Sequence, residues 1–332
     1  MASTGSKVVI LGTGGTIAGT AASATDSIGY RAASLGVEAV VAAVPALQGQ
    51  ALECLQVAQT DSKDMDAAVW QALGRALAQQ LARAEVAGVV ITHGTDTLEE
   101  TAYFLHRVLA PRKPVVLTAA MRPATALMAD GRQNLLDAVT LARDAAWCGV
   151  QAVLGGRVYG PLDLRKRHGW QLDAFGSGDA GLLGLVQDGV PRRFRDLRAA
   201  PPHVAAARLL SQDERDWPVV DIVPSHAGAR GAVIDALVAA GAMGLVIAGT
   251  GNGSLHQALA QAAERARAAG VAVVRASRCL DGGVVGAPAG ALPSYGALTP
   301  WQARIELMLD LMSGGVPDVV PGAVPDPGLR PR

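Results

Sequence analysis

Short apolar runs alternate along the chain with Ala/Leu-rich stretches of helical spacing. The runs 7–12, 52–58, 87–92, 114–118 and 151–154 are rich in Val, Ile and Leu and predict strands. Between them, 36–43, 64–83, 97–109 and 131–146 carry the i, i+3, i+4 pattern of helices with one buried face. Apolar strands separated by helices imply βαβ units and a mostly parallel sheet covered on both faces. Residues 191–218 break the rhythm with prolines at 191, 201, 202 and 218 among many Arg and Asp, and predict an inter-domain linker. The alternation then resumes, with strands at 219–223, 243–248 and 271–275 and helices at 230–240, 254–268 and 300–313. The chain thus divides into an α/β domain over 1–190, the linker, and a smaller α/β domain over 219–332. Its Pro/Gly-rich tail, 316–332, is expected to dock loosely or fray.

Composition narrows this picture only a little. The chain has 332 residues, half of them hydrophobic, with 29 basic and 29 acidic side chains. Such a chain buries a large core without disulfides or metals. Its charge balance lacks the basic excess of a nucleic-acid binder. The three cysteines, Cys54, Cys148 and Cys279, form no CxxC and are expected to be small buried residues. The six histidines show no zinc spacing, and no metal or other cofactor is expected. The apolar stretch 231–249 is divided by Asp235, Gly241 and Gly244, so no membrane span is expected. Lys7, an apolar run and Ala22-Ser23-Ala24 imitate an export signal, but Gly12, Gly14 and Gly15 interrupt the run. We take it as the first core strand of a cytoplasmic protein, or of a periplasmic one if a leader was removed from a longer precursor.

Ligands of open α/β sheets bind beyond the carboxyl ends of the strands. This directs attention to four segments, 12–30, 60–64, 92–97 and 118–128, each following a predicted strand. The first, Gly12-Thr-Gly-Gly-Thr16, offers sharp turns and exposed amides to an anion or oxyanion. It fits the first two glycines of a dinucleotide loop, but Ile17 replaces the third, so a nucleotide loop stays open as the lesser alternative. Residues 18–34, small and polar around Tyr30, suggest a mobile lid. In 92–100, Thr97 and Glu100 have capping-box spacing. Thr95 and Asp96 before them have no such explanation, and His93 is expected to be a satisfied core residue. Ser62 or Asp61 is expected to cap helix 64–83. Arg165-Lys166-Arg167 reads, by itself, as a solvated basic face.

Taken together these residues resemble the bacterial-type L-asparaginase family, which includes glutaminase-asparaginases. The likeness runs from about residue 7 to 313. It is carried by TGGTIAG at 13–19 and THGTDTLEETAYFL at 92–105, with further matches at Tyr30, Asp64-Met65, Ala120-Met-Arg-Pro123, Lys166 and Gly251-Asn-Gly253. The resemblance implies a two-domain fold and hydrolysis of L-asparagine to aspartate and ammonia, with glutamine as a second substrate or a broad-specificity glutaminase-asparaginase as the alternative. It implies Thr16 as nucleophile beside Tyr30, and a second group of Thr95, Lys166 and Asp96. The substrate would be held by Gly15, Ser62, Lys63, Asp96, the carbonyl of Ala120, and Asn252 from a neighbouring subunit. Amides near Gly15 and Thr95 would face the oxyanion. The family assembles as dimers of dimers, so a homotetramer with sites at subunit interfaces is implied. Two positions depart from the family. Lys63 stands where Gln or Glu is common, and Leu280–Tyr295 offers only Asp281 where a glutamate often reaches across the interface.

Overall fold

The structure is a computed structural model and describes residues 6–26, 28–197, 200–286 and 290–315. Two compact units divide between Ala206 and Ala207.

In the first unit the parallel strands β1 (Lys7–Gly14), β2 (Leu52–Thr60), β3 (Val86–Thr92), β4 (Pro114–Thr118) and β5 (Gly149–Leu154) follow the predicted runs with small changes at their ends. The intervening helices are α1 (Val37–Ala42), α2 (Ala67–Ala82), α3 (Leu98–Leu109) and α4 (Gly131–Arg143). After β5 come short strands that the apolar pattern did not announce: β6 (Arg157–Tyr159), β7 (Arg165–Lys166), β8 (Phe175–Gly176), β9 (Gly184–Gln187) and β10 (Val190–Arg193). β6, β9 and β10 extend the main sheet antiparallel, giving the order β10-β9-β6-β5-β4-β3-β1-β2. β7 and β8 form a separate two-stranded ribbon. The stretch expected to be a bare linker therefore contains most of β10 and helix α5 (Ala206–Ser211).

β1, β3, β4 and β5 are mostly apolar because both their faces are covered, whereas the edge strand β2 carries Glu53, Gln56 and Gln59 and is partly exposed. Alternate residues Val8, Ile10, Val90 and Val116 pack with Leu135 and Val139 of α4 and with Val37 and Val40 of α1. The intervening positions Val9, Leu11, Val89 and Ile91 are equally buried. They face α2, which packs against β1, β2 and β3. Its Trp70 ring stacks on Phe104 of α3 at 4.8 Å between centroids.

Chain order and sheet order diverge at one place. β1 lies between β2 and β3, and the sheet continues to β4 and β5 beyond β3. The connections leaving β1 and β3 therefore part, and a cleft opens at their carboxyl ends. All four segments singled out in the sequence leave neighbouring strands at that edge.

The second unit contains β11 (Val220–Pro224), α6 (Ala232–Ala239), β12 (Gly244–Gly249), α7 (Gln257–Ala268), β13 (Ala272–Ser277) and α8 (Pro300–Met312). Its parallel sheet, β11-β12-β13, is packed by α6 and α7 around Ile234, Leu245, Ile247 and Leu259, while α8 packs against all three strands. Thr299 and Gln302 form a reciprocal capping box at the start of α8. Cys148 and Cys279 are exposed and Cys54 is half-buried, so none of the cysteines is the fully buried residue expected. No helix among the described residues is long and apolar enough to cross a membrane. The tail 316–332 lies outside the described residues.

Candidate active site

The site is built around glycines. Gly14 and Gly15 have φ of 105° and 76°, a region that side chains disfavour, and they turn the chain out of β1. The turn continues as a single 3-10 turn, Thr16–Ala18, and no α-helix opens on the glycine loop. A dinucleotide loop places such a helix N-terminus under the phosphates, so this backbone does not supply that cradle. Thr16 is 6% exposed, and its Oγ1 lies 2.7 Å from the Tyr30 hydroxyl. Tyr30 is held there because Thr20 and Arg31 pair through two backbone hydrogen bonds, closing the segment read as a lid.

Gly15 also sets the distance to the next strand. A Cβ at Gly15 would lie 2.3 Å from the Gly94 Cα, and one at Gly94 would lie 2.3 Å from Ser62 Oγ. The ends of β1 and β3 therefore touch backbone to backbone, with the Ser62 side chain beyond β2 packed against Gly94. This contact brings Thr16, Ser62 and Thr95 into one neighbourhood.

Beyond Gly94, Lys166 Nζ donates to Thr95 Oγ1 at 2.9 Å and to Asp96 Oδ1 at 2.5 Å. The Lys166 side chain is 16% exposed and Asp96 is 49% exposed, so the pair sits at the cleft mouth. Lys166 belongs to the β7 end of the small ribbon, and its own N–H donates to Glu99 Oε2 at 2.9 Å. Glu99 is buried, and nothing in the sequence reading assigned it a role. Its position in the first turn of α3, facing a site lysine, was its only signal. The basic triplet is only partly a solvated face: Arg167 is exposed, but Arg165 is buried and Lys166 nearly so.

Two expected caps are replaced. Thr97 does not close a capping box; its hydroxyl donates to the Ser62 carbonyl at 2.8 Å. α2 is capped by Asp66, while Asp61 accepts from Lys63 N in a preceding 3-10 turn. Ser62 is thereby freed, and its Oγ accepts from Asp96 N at 3.1 Å. These bonds make Ser62 a strut between β2 and the start of α3. Lys63 lies outside this network, with Nζ against Asp64 at 2.5 Å and Asp61 at 3.3 Å.

His93 is the satisfied core residue expected. It is fully buried; Nδ1 lies 2.7 Å from the Gly94 carbonyl and Nε2 lies 3.0 Å from Thr101 Oγ1. Trp70 Nε1 donates to that same hydroxyl at 2.9 Å. The chain Trp70–Thr101–His93 thus fixes the Gly94–Thr95 peptide with Nδ1 protonated. Burial pushes the His93 pKa down to about 4.

Ala120 follows β4 in a loop clamped from below. Asn134 Nδ2 donates to the Ala119 carbonyl at 2.9 Å, and Asp130 accepts the N–H groups of Met121 and Arg122 at 3.0 Å each. The Gly15 N–H is already spent on the Thr60 carbonyl at 2.9 Å. It is therefore not free to face an oxyanion. Asn252 belongs to the second unit, where both ends of its amide bond the Val285 backbone at 2.7 Å. The structure thus gathers Gly15, Thr16, Tyr30, Ser62, Thr95, Asp96 and Lys166 in one cleft of the first unit.

This geometry can be set beside known proteins. A family model described as "Asparaginase, N-terminal" matches residues 7–197, and "Glutaminase/Asparaginase C-terminal domain" matches 219–320. The chain belongs to the asparaginase family. It is 36% identical to "L-asparaginase 2" of Bacillus subtilis over 95% of this chain and 84% of that one. It is 39% identical to "Glutaminase-asparaginase" of Pseudomonas fluorescens, over 84% of this chain and 77% of that one. Among solved structures, a "Probable Cytoplasmic L-asparaginase" from Campylobacter jejuni superimposes with a TM-score of 0.87 at 36% identity, covering 92% of this chain and 95% of that one. An asparaginase fold, with a large mostly parallel sheet followed by a smaller α/β domain, is thus what the chain adopts.

Two tests follow from the site. Gly15→Ala should destabilise the fold by about 1–3 kcal/mol from the backbone conformation alone, before the contact with Gly94 is counted; the shift in denaturant midpoint measures it. His93 and His106 are both held near pKa 4 by burial, against 6.5 when free. The unfolded chain then binds protons that the folded chain refuses. Stability should be fully present above pH 6.5 and fall as pH drops toward about 4. A flat unfolding midpoint across that window would rule out neutral buried imidazoles.

Proposed function

We propose that this protein hydrolyses L-asparagine to L-aspartate and ammonia through an ester on Thr16, with L-glutamine as a slower substrate. The observation that carries the proposal is the contact of one lysine ammonium with both a buried threonine hydroxyl and a carboxylate, Thr95–Lys166–Asp96, across a glycine contact from Thr16–Tyr30. A threonine hydroxyl needs help to lose its proton, and the cleft holds two hydroxyls with such help.

In the first half-reaction Thr16 Oγ attacks the side-chain amide carbon while its proton moves to the Tyr30 oxygen and the phenol's own proton passes on to the departing nitrogen. The amides of Thr95 and of the turn after Gly15 meet the developing oxyanion. The C–N bond breaks and the nitrogen, gaining a proton, leaves as ammonia. In the second half water attacks the ester, its proton passing through the Thr95–Lys166 pair, and Thr16 is released with aspartate. One amide and one water give one carboxylate and one ammonium.

Asp96, exposed at the cleft mouth beside the start of α3, suits the substrate ammonium, and Ser62 suits its carboxylate. The Ala120 carbonyl accepts from the amide that will leave. Lys63, already paired with two acids, contributes little to this recognition. The names of the relatives support both asparagine and glutamine as substrates. Assembly as a homotetramer, with Asn252 completing a neighbour's site, belongs to the same proposal and is tested by sedimentation. A fully active monomer would refute it.

Thr16→Ala should fold normally and lose nearly all ammonia release from asparagine; persistent turnover would refute the nucleophile. Lys166→Met should cut kcat by about 10²–10⁴ with folding retained. Lys63→Gln should leave the ratio of asparagine to glutamine hydrolysis within about fivefold, since exposed ion pairs carry at most ~1 kcal/mol. Ammonia release from the two amino acids, measured side by side, reads all three.

A further inference from the structure

A second pocket lies in the first unit at the opposite edge of the main sheet. It forms where the last turn of α3 meets the start of β5, and it encloses about 250 Å³. Trp147, Cys148 and Leu183 line it together with His106, Arg193 and Arg195. The catalytic cluster occupies the carboxyl ends of the parallel strands, whereas this pocket sits at their amino ends. α3 spans the two, with Glu99 at one end and His106 at the other.

Two of its polar groups are buried and unpartnered. His106 is 3% exposed, and among the described residues neither ring nitrogen has a hydrogen-bond partner. The Nε of Arg195 is also buried without one, although its NH2 bonds Asp163 at 2.5 Å and the Gly181 carbonyl at 2.7 Å. Buried polar groups are nearly always hydrogen-bonded, and each orphan costs ~1–3 kcal/mol. Orphaned groups lining one cavity, inside walls that are otherwise mostly apolar, have the character of a ligand edge.

Their chemistry specifies what fits. Burial and the neighbouring Arg107 push the His106 pKa down to about 4, so its ring is neutral and offers one donor and one acceptor. A hydroxyl satisfies either nitrogen. Arg195 Nε offers a donor only, and a carboxylate is its strongest complement. Asp163 already matches the Arg195 charge, so the added negative charge is balanced by Arg193, whose partner Asp196 is 86% exposed and weakly held. Trp147 and Leu183 provide surfaces for a flat apolar body. The volume is below the 300–1,000 Å³ of drug-sized sites, which limits that body to about one ring.

We propose that this pocket is a binding site for a small hydroxy-substituted aromatic carboxylate, its carboxylate on Arg195 Nε and its hydroxyl on His106. It is separate from the Thr16 cleft and does not depend on the reaction assigned there.

Calorimetric titration of the full-length protein with 4-hydroxybenzoate tests it. The expected result is one saturable site per chain at low-millimolar affinity or better, weakened roughly tenfold or more by His106→Leu. Benzoate, which lacks the hydroxyl, should bind the wild type about as weakly as 4-hydroxybenzoate binds that variant. Ala146→Phe, which fills the exposed rim without removing a polar group, should abolish binding even if His106→Leu fails to fold. Occupancy should slow alkylation of the exposed Cys148 and leave that of the exposed Cys279 unchanged. Thr16→Ala should bind as the wild type does. Absence of saturable heat would mean that the pocket holds only water, and would overturn the proposal. So would binding that survives Ala146→Phe, or binding that is lost in Thr16→Ala or displaced by aspartate.

Discussion

The contact between Gly15 and Gly94 is the constraint on which the rest of the cleft depends. Two parallel strands normally keep their backbones the width of a hydrogen-bond ladder apart, but here their exit turns approach until no Cβ fits between them. That approach is possible only beyond the carboxyl ends of β1 and β3, where the chain connections diverge and the turns are free to lean together. It sets the separation between Thr16 and Thr95 by backbone geometry, without relying on flexible side chains. The reaction proposed for this cleft uses two hydroxyls on one substrate and needs that separation fixed.

The hydrogen bonds around the contact serve to hold it. Trp70, Thr101 and His93 form a buried chain ending on the Gly94 carbonyl, and the lowered His93 pKa keeps that chain in one protonation state over the neutral range. Ser62 ties β2 to Asp96 and Thr97, and Glu99 ties the Lys166 backbone to the same helix. α3 therefore acts as the common support for Thr95, Asp96 and Lys166. Its N-terminal dipole favours the carboxylate placed just before it. The exposed pairs of Lys63 and of the surface arginines, by contrast, hold little of the site in place.

Most of the main sheet was legible because its strands are buried on both faces, and such strands write themselves into the sequence as unbroken apolar runs. The antiparallel strands β6, β9 and β10 and the β7–β8 ribbon were not legible. They are two to four residues long and lie at a sheet edge or outside it, so they leave no periodic signal. Capping failed for a related reason. Thr97 and Ser62 have good cap spacing with their own helices, but each finds a partner on the other's segment, and a tertiary hydrogen bond replaced the local one.

The sequence by itself determined the alternation of apolar strands and helices, the glycine turn before Thr16 and the unusual Thr95-Asp96 pair, because those depend on local conformation and on residue type. The basic triplet alone reads as a solvated face; only the tertiary structure placed Lys166 against Thr95 and Asp96 at once, as the family resemblance implied. It alone showed that Gly15 gives its amide to Thr60, that Glu99 matters, and that His106 and Arg195 share a cavity. Each of these facts joins residues far apart in the chain. Sequence spacing says nothing about such pairs until strand order brings them together.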